Sequence, residues 1–163
     1  WRDNRLNMIH EGTHGIQAAD LLGRKVVMQG GAGLQLLART IGATIAQARK
    51  HPELAAWADQ LAQALQDVGE ATQAAWATGN PTEALANAVP YMQAFGHTVL
   101  AWVWLDVACS VLARDATLSI AASAGRMGAA RYFYHYELPR IGAWLQVVCQ
   151  RDLTCAALDE DAF

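Results

Sequence analysis

The tripeptide Glu11-Gly12-Thr13 combines three features that suit acid–base chemistry on a bound ligand. Glu11 supplies a carboxylate that can accept a proton. Gly12 follows it and has no Cβ, so a ligand can approach the backbone closely. Thr13 stands where a helix is predicted to begin, and its hydroxyl can cap the first free N–H groups. The sequence therefore predicts a base beside a helix N-terminus.

The same three residues could also form a solvated surface turn, which is the better interpretation for an arbitrary Glu-Gly-Thr tripeptide. The surrounding pattern gives the turn a definite place, because residues 1–9 resemble the end of one helix and residues 14–28 resemble a second. The glycine-rich stretch 29–33 follows and is predicted to be a flexible hinge. It lacks the preceding strand of a phosphate-binding loop, so we assign no nucleotide to it.

The rest of the chain shows helical periodicity, with apolar residues recurring at intervals of three and four. His51-Pro52 separates the first two helices, since the residue before proline avoids the helical region. At Gly79-Asn80-Pro81, Asn80 is the predicted N-cap of the next helix, and Glu83 completes a capping box. We predict an all-α fold: an up-and-down four-helix bundle (residues 31–163) preceded by a short helix-turn-helix segment (residues 1–30).

The third helix of this bundle is predicted to run from Pro81 toward Arg114, with a kink or break at Pro90. Within it, the stretch 98–113 is almost entirely apolar. That stretch is shorter than the roughly 20 residues that a membrane-spanning helix needs, and it contains Asp106. We therefore expect a buried bundle helix and no membrane partner. One apolar side of the third helix consists of Leu85, Val89, Met92, Gly96, Val99, Val103 and Val107.

Composition restricts the class of protein further. Hydrophobic residues make up 53% of the 163, which argues against disorder, and a net charge of −3 gives no basis for binding nucleic acid. The three cysteines have no metal-ligand spacing, so we expect no metal and a reduced, cytoplasmic setting. Trp1 replaces an initiating methionine, from which we expect the chain to be a piece of a longer protein.

The residues around Glu11 carry a family resemblance. Arg2-Asp3, then Ile9-His10-Glu11-Gly12-Thr13, then the stretch from Gly15 to Lys25, resemble the C-terminal helical domain of FAD-dependent acyl-CoA dehydrogenases. There the pattern is arginine-aspartate, a short helix, tyrosine-glutamate-glycine-threonine and isoleucine-glutamine. Here histidine replaces the tyrosine, and Gly15 stands where glutamine is common. From about residue 31 the chain resembles the helical tail of a larger subgroup.

The resemblance implies a reaction. Glu11 matches the base that removes the α-proton of an acyl-CoA, while a β-hydride passes to FAD and trans-2-enoyl-CoA forms. The backbone N–H of Glu11 and the absent side chain of Gly12 match the substrate-binding positions. Thr13, His14 and Gly15 match positions that contact FAD. The resemblance also implies an electron-transfer flavoprotein as electron acceptor and a homodimer or homotetramer.

Other candidate residues are assigned to packing. His97 is predicted to be a core or groove histidine, and His135 lies in an aromatic band expected to pack or contact a subunit. Asp106, if buried, would need a partner such as Arg114 or Arg126. The alternative to a dehydrogenase part, which we expect to be inactive alone, is a non-catalytic helical module for oligomerisation or interaction. Core positions are expected for Trp57, Trp76, Trp102, Trp104 and Trp144.

Overall fold

The computed structural model describes residues 13–113, 119–158 and 161, and these residues are overwhelmingly helical. The all-α prediction is confirmed. The helices, in chain order, are α1 (His14–Asp20), α2 (Met28–Ala48), α3 (Ala55–Ala75), α4 (Pro81–Leu85), α5 (Ala88–Leu112), α6 (Ile120–Tyr132) and α7 (Ile141–Gln150).

One hydrophobic core joins these helices. Helices α3 and α5 each contact both α2 and α7, while α6 and α1 both pack on α5. Leu54, Leu61 and Leu105 are fully buried at its centre. This arrangement agrees with helices packed around one core, and the up-and-down order of a four-helix bundle stays a prediction. The division of the chain at residue 30 also stays a prediction.

The segment before the bundle differs from the single helix predicted for residues 14–28. Helix α1 ends at Asp20, and a π-helical turn, Leu21–Lys25, follows it. Helix α2 then contains three residues with left-handed φ values of 53°, 65° and 81°, at Gln29, Gly30 and Gly31. Two of the three are glycines, which adopt this conformation without a steric penalty. The predicted hinge is therefore a defined bend of the backbone.

The third helical region is divided close to Pro90, as predicted, although the break precedes the proline. The interruption lies between α4 and α5, at residues 86 and 87, and α5 begins at Ala88. Pro90 thus occupies the first turn of α5, where backbone N–H groups have no partner within the helix. A missing N–H costs little at that position.

Helix α5 buries a different side from the apolar side identified in the sequence. Val89 and Val103 are 39% and 46% exposed, respectively. The reason is that α5 is apolar on every side, so spacing alone cannot distinguish the inner from the outer side. Of the residues described, only those of α5 form a helix long and apolar enough to cross a membrane by length and composition. The buried positions of α5 are Ala88, Tyr91, Ala94, Thr98, Ala101, Leu105, Ala108 and Cys109.

The final helical region is bent where Pro139 predicted a bend. A π-helical turn, Phe133–Glu137, and a 3-10 turn, Leu138–Arg140, connect α6 to α7. The π-helical turn directs Tyr134 into the core, where its ring stacks on Trp57 with a centroid separation of 5.2 Å. The Tyr134 hydroxyl donates to the Ala101 carbonyl over 2.9 Å. This contact fixes the bend against α3 and α5.

Candidate functional site

The first described residues, Thr13, His14 and Gly15, form the exposed start of α1. Thr13 is the N-cap residue, and its carbonyl accepts a hydrogen bond of 2.9 Å from the Gln17 N–H. Its side chain makes no capping bond, so the predicted hydroxyl cap is wrong. Thr13 has helical backbone angles, with φ −94° and ψ −7°, whereas a hydroxyl cap needs an extended residue.

Among the residues that the structure describes, none closes off the space around this helix start. A Cβ placed on Gly15 would meet no atom of these residues within 4 Å. The first N–H groups of a helix have no partner within the helix, so they can donate to an external acceptor. Residues 13–15 therefore leave room for a ligand. Glu11 and Gly12 lie outside the described residues.

The other end of α1 is held by the bundle. Ala18, Leu22 and Val26 are buried in the common core. The indole N–H of Trp76, at the end of α3, donates to the Leu22 carbonyl over 3.1 Å. These contacts attach the C-terminal end of α1 and the turn that follows it to the common core.

A close approach between two elements adds to this attachment. A Cβ on Gly23 would lie 3.2 Å from Cδ2 of Leu85, so a side chain there would crowd α4. At the next position, the Arg24 guanidinium donates a hydrogen bond to Asp20 and lowers the pKa of that carboxyl. Gly23 therefore allows the π-helical turn to pack against α4.

A second polar cluster lies between α5 and the bend before α7. One oxygen of the Glu137 carboxylate is 3.1 Å from Nη1 of Arg140 and 3.7 Å from Nε2 of His97. The Tyr132 hydroxyl donates to the other oxygen over 3.2 Å. The His97 ring also contacts Trp144, at a centroid separation of 4.7 Å. His97 is thus a groove histidine, as the sequence predicted. Glu137 was not among the candidate residues, because the apolar periodicity of the sequence did not single it out.

The remaining predicted packing residues have mixed outcomes. Asp106 is exposed, so the condition under which it needed a buried partner does not arise. His135 is also exposed. Trp57 is buried, and four other tryptophans are partly buried against the core: Trp76, Trp102, Trp104 and Trp144.

Two surface grooves occur away from the start of α1. One, of about 260 Å³, lies between α3 and α7 and is lined by Gln63, Asp67 and Pro139 among others. The second, of about 450 Å³, lies beside the left-handed bend and is lined by Gly30, Thr72 and others. Within the described ranges, no three histidine, cysteine, aspartate or glutamate side chains lie together in a way that could hold a metal ion. Neither groove includes residues 13–15.

Comparison with known proteins identifies the family of the chain. A family model described as "Acetyl-CoA dehydrogenase C-terminal like" matches residues 37–159, about three-quarters of the chain. The chain is also 36% identical over 125 residues to the 3-methylmercaptopropionyl-CoA dehydrogenase of Ruegeria pomeroyi. That alignment covers 73% of this chain and 20% of the relative, so the chain spans about a fifth of the relative's length. The chain therefore belongs to the acetyl-CoA dehydrogenase C-terminal-like family, as a C-terminal domain of an acyl-CoA dehydrogenase.

Proposed function

We propose that this chain is the C-terminal part of an FAD-dependent acyl-CoA dehydrogenase in which Glu11 is the catalytic base. The observation that supports the proposal most strongly is the family match over residues 37–159, which begins 26 residues after Glu11. The name of the relative points to an acyl-CoA thioester as substrate class.

In the proposed reaction, Glu11 accepts the α-proton of the acyl-CoA. With FAD bound, the hydride that leaves the β-carbon would pass to that cofactor, and trans-2-enoyl-CoA would be the product. The backbone N–H of Glu11 donates to the thioester oxygen as negative charge develops there, which lowers the barrier to proton removal. Gly12 leaves space for the acyl chain beside that oxygen.

Thr13, His14 and Gly15 are the proposed contacts to FAD. Their fit rests on the accessibility of the α1 start, where N–H groups are available and Gly15 presents no side chain. The bundle would hold this start in place through α1 and Trp76. An electron-transfer flavoprotein is the proposed electron acceptor, and a cytoplasmic location is proposed for the whole protein.

Comparing the 163-residue chain with the longer protein tests the proposal directly, because the proposed FAD and substrate sites are complete only in the longer protein. We expect the purified 163-residue chain to be colourless and without dehydrogenase activity. We expect the longer protein that contains it to carry FAD and to oxidise an acyl-CoA. Stoichiometric FAD binding by the 163-residue chain, with turnover of any acyl-CoA, would overturn this expectation.

A second function is supported by a different observation, the exposed apolar side of α5. In that alternative, the chain is a helical module for oligomerisation or interaction, and Glu11 has no catalytic use. Replacement of Glu11 by glutamine in the longer protein separates the two functions, because a module would retain its association and would have no dehydrogenation to lose.

A further inference from the structure

The π-helical turn after α1 redirects one backbone hydrogen bond. In an α-helix, the carbonyl of Leu22 would accept from the N–H of Val26, four residues later. Here the Val26 N–H donates to the Leu21 carbonyl instead, over 3.0 Å. The indole N–H of Trp76 donates to the Leu22 carbonyl, over 3.1 Å. Trp76 therefore binds the acceptor that an α-helical turn would use.

This exchange of donors affects the register of α1, by which we mean the side of α1 that faces the core. Helix α1 ends at Asp20 and the π-helical turn begins at the next residue, so the two form one continuous helical segment. If the Val26 N–H returned to the Leu22 carbonyl, the turn would hold one residue fewer. The residues before it would then rotate by about 100° and move by about 1.5 Å relative to the core.

Burial makes the bond from Trp76 to Leu22 matter for the choice between the two turns. Leu22 is fully buried, and Trp76 is partly buried against the same core. A buried carbonyl or indole N–H that loses its partner costs free energy, because no water replaces that partner. The bond satisfies both groups only while the Leu22 carbonyl is available to Trp76. It therefore favours the π-helical turn over the α-helical one.

The register has its consequence at the start of α1. Glu11 lies two residues before the N-cap Thr13, and residues 13–15 are the proposed contacts to FAD. Helix α1 has seven residues and is about 10 Å long, so a rotation at its end is passed on to its start. A displacement of about 1 Å at reacting groups can lower a rate by about 100-fold. Single π-helical turns within helices are also frequent at functional sites.

We propose that Trp76 is a positioning residue for the dehydrogenation. Its hydrogen bond to Leu22 holds the π-helical turn and thereby the register of α1 in which Glu11 meets the substrate and residues 13–15 meet FAD. This inference rests on the proposed function, because it assigns to Trp76 an effect on Glu11. Trp76 acts through the Leu22 carbonyl, so the bundle takes part in the reaction by fixing the helix that follows the base.

Scalar couplings across hydrogen bonds in the 163-residue chain test the register by NMR. In the parent, the Val26 amide nitrogen should be coupled to the carbonyl carbon of Leu21. In Trp76→Phe, which keeps an aromatic ring and lacks the N–H, a coupling to Leu22 should replace it. Retention of the coupling to Leu21 in this variant would overturn the proposal.

The matched control is Trp102→Phe, which loses an indole hydrogen bond of 2.8 Å to the Thr44 hydroxyl. That bond joins α5 to α2 and involves no residue of α1 or of the π-helical turn. The control should therefore keep the parental coupling between Val26 and Leu21. A change of partner in the control as well would show that general destabilisation, and not the loss of Trp76, shifts the register.

Anaerobic reduction of the flavin by a saturating acyl-CoA, in the longer protein, tests the effect on the reaction. The rate per bound FAD in Trp76→Phe should be at least about tenfold lower than in Trp102→Phe. A loss of folded protein alone would lower the FAD content and leave the rate per bound FAD unchanged. Equal rates in the two variants would overturn the positioning role.

Glu11→Gln in the same measurement separates a failure of this inference from a failure of the proposed function. Slow reduction in Glu11→Gln together with an unaffected rate in Trp76→Phe would overturn the positioning role alone. Reduction at the parental rate in Glu11→Gln would overturn the proposed function, and the positioning role of Trp76 with it.

Discussion

The indole nitrogen of Trp76 lies 3.1 Å from the backbone carbonyl oxygen of Leu22, and this hydrogen bond joins the end of α3 to the π-helical turn after α1. The two residues are 54 positions apart in the chain. Leu22 is fully buried and Trp76 packs against the same core. The position of the α1 start therefore depends on the bundle.

Trp76→Phe should destabilise the chain, because the phenyl ring leaves the Leu22 carbonyl without its donor. We expect a loss of about 1 kcal/mol in the free energy of unfolding, or a Tm lower by about 2–4 °C. Amide hydrogen exchange in residues 14–26 should also accelerate. The control is Trp104→Phe, since the Trp104 indole makes no hydrogen bond to any residue that the structure describes. Equal effects of the two substitutions would argue against this attachment.

Replacing glycines by alanine should distinguish a packed glycine from an open one. Gly42→Ala, within α2, should stabilise the chain by about 0.5–1 kcal/mol, because a new Cβ there meets no atom within 4 Å. Gly23→Ala should stabilise less or destabilise, since its Cβ would lie 3.2 Å from Leu85. Thermal unfolding of both variants measures the difference. An equal gain in stability at both positions would show that Leu85 of α4 can move aside without a loss of stability.

Because two tyrosines are buried, we expect the free energy of unfolding to fall at alkaline pH. Burial raises the pKa of Tyr134 and that of Tyr91, whose hydroxyl is 2.7 Å from the Thr72 hydroxyl. In the unfolded chain, both would ionise near the ordinary tyrosine pKa of about 10. The unfolded state therefore loses protons first, and the stability present below pH 10 should fall as the pH rises above about 10.

Denaturant titrations at successive pH values measure this effect. The Tyr134→Phe variant should be less stable than the parent by about 1 kcal/mol at neutral pH, because it loses the bond to the Ala101 carbonyl. Its stability should also decline less steeply above pH 10. If the free energy of unfolding of the variant fell as steeply with pH above 10 as that of the parent, ionisation of Tyr134 would not be the cause of the alkaline loss of stability.

The sequence predicted those elements that local chemistry controls. Asn80 caps α4 as expected, with its side-chain oxygen 3.0 Å from the Thr82 N–H. Glu83 also reaches back, although it accepts from the Asn80 side-chain amide, over 3.2 Å, and not from the backbone of the cap. In α3, Trp57 is buried, as the sequence predicted. Each of these depends on residues close together in sequence.

Features that depend on distant contacts could not be predicted in this way. The π-helical turns at Leu21–Lys25 and Phe133–Glu137 depend on packing of Leu22 and Tyr134 into the common core. The inner side of α5 was missed because a helix that is apolar all round carries no periodic signal. At the candidate site, the FAD-binding role of residues 13–15 stays a prediction. The assignments of Glu11 and Gly12 stay predictions.

The central claim, that Glu11 is the catalytic base, is tested most directly by anaerobic reduction of the flavin in the longer protein by an acyl-CoA. Glu11→Gln keeps the size of the side chain and removes its basicity, so the rate of flavin reduction should fall by about 10²–10⁴-fold while the FAD content is retained. Glu53→Gln is the control, because Glu53 lies at an exposed turn. In this variant the acyl-CoA should reduce the flavin at the parental rate. Reduction at the parental rate in Glu11→Gln would contradict the claim.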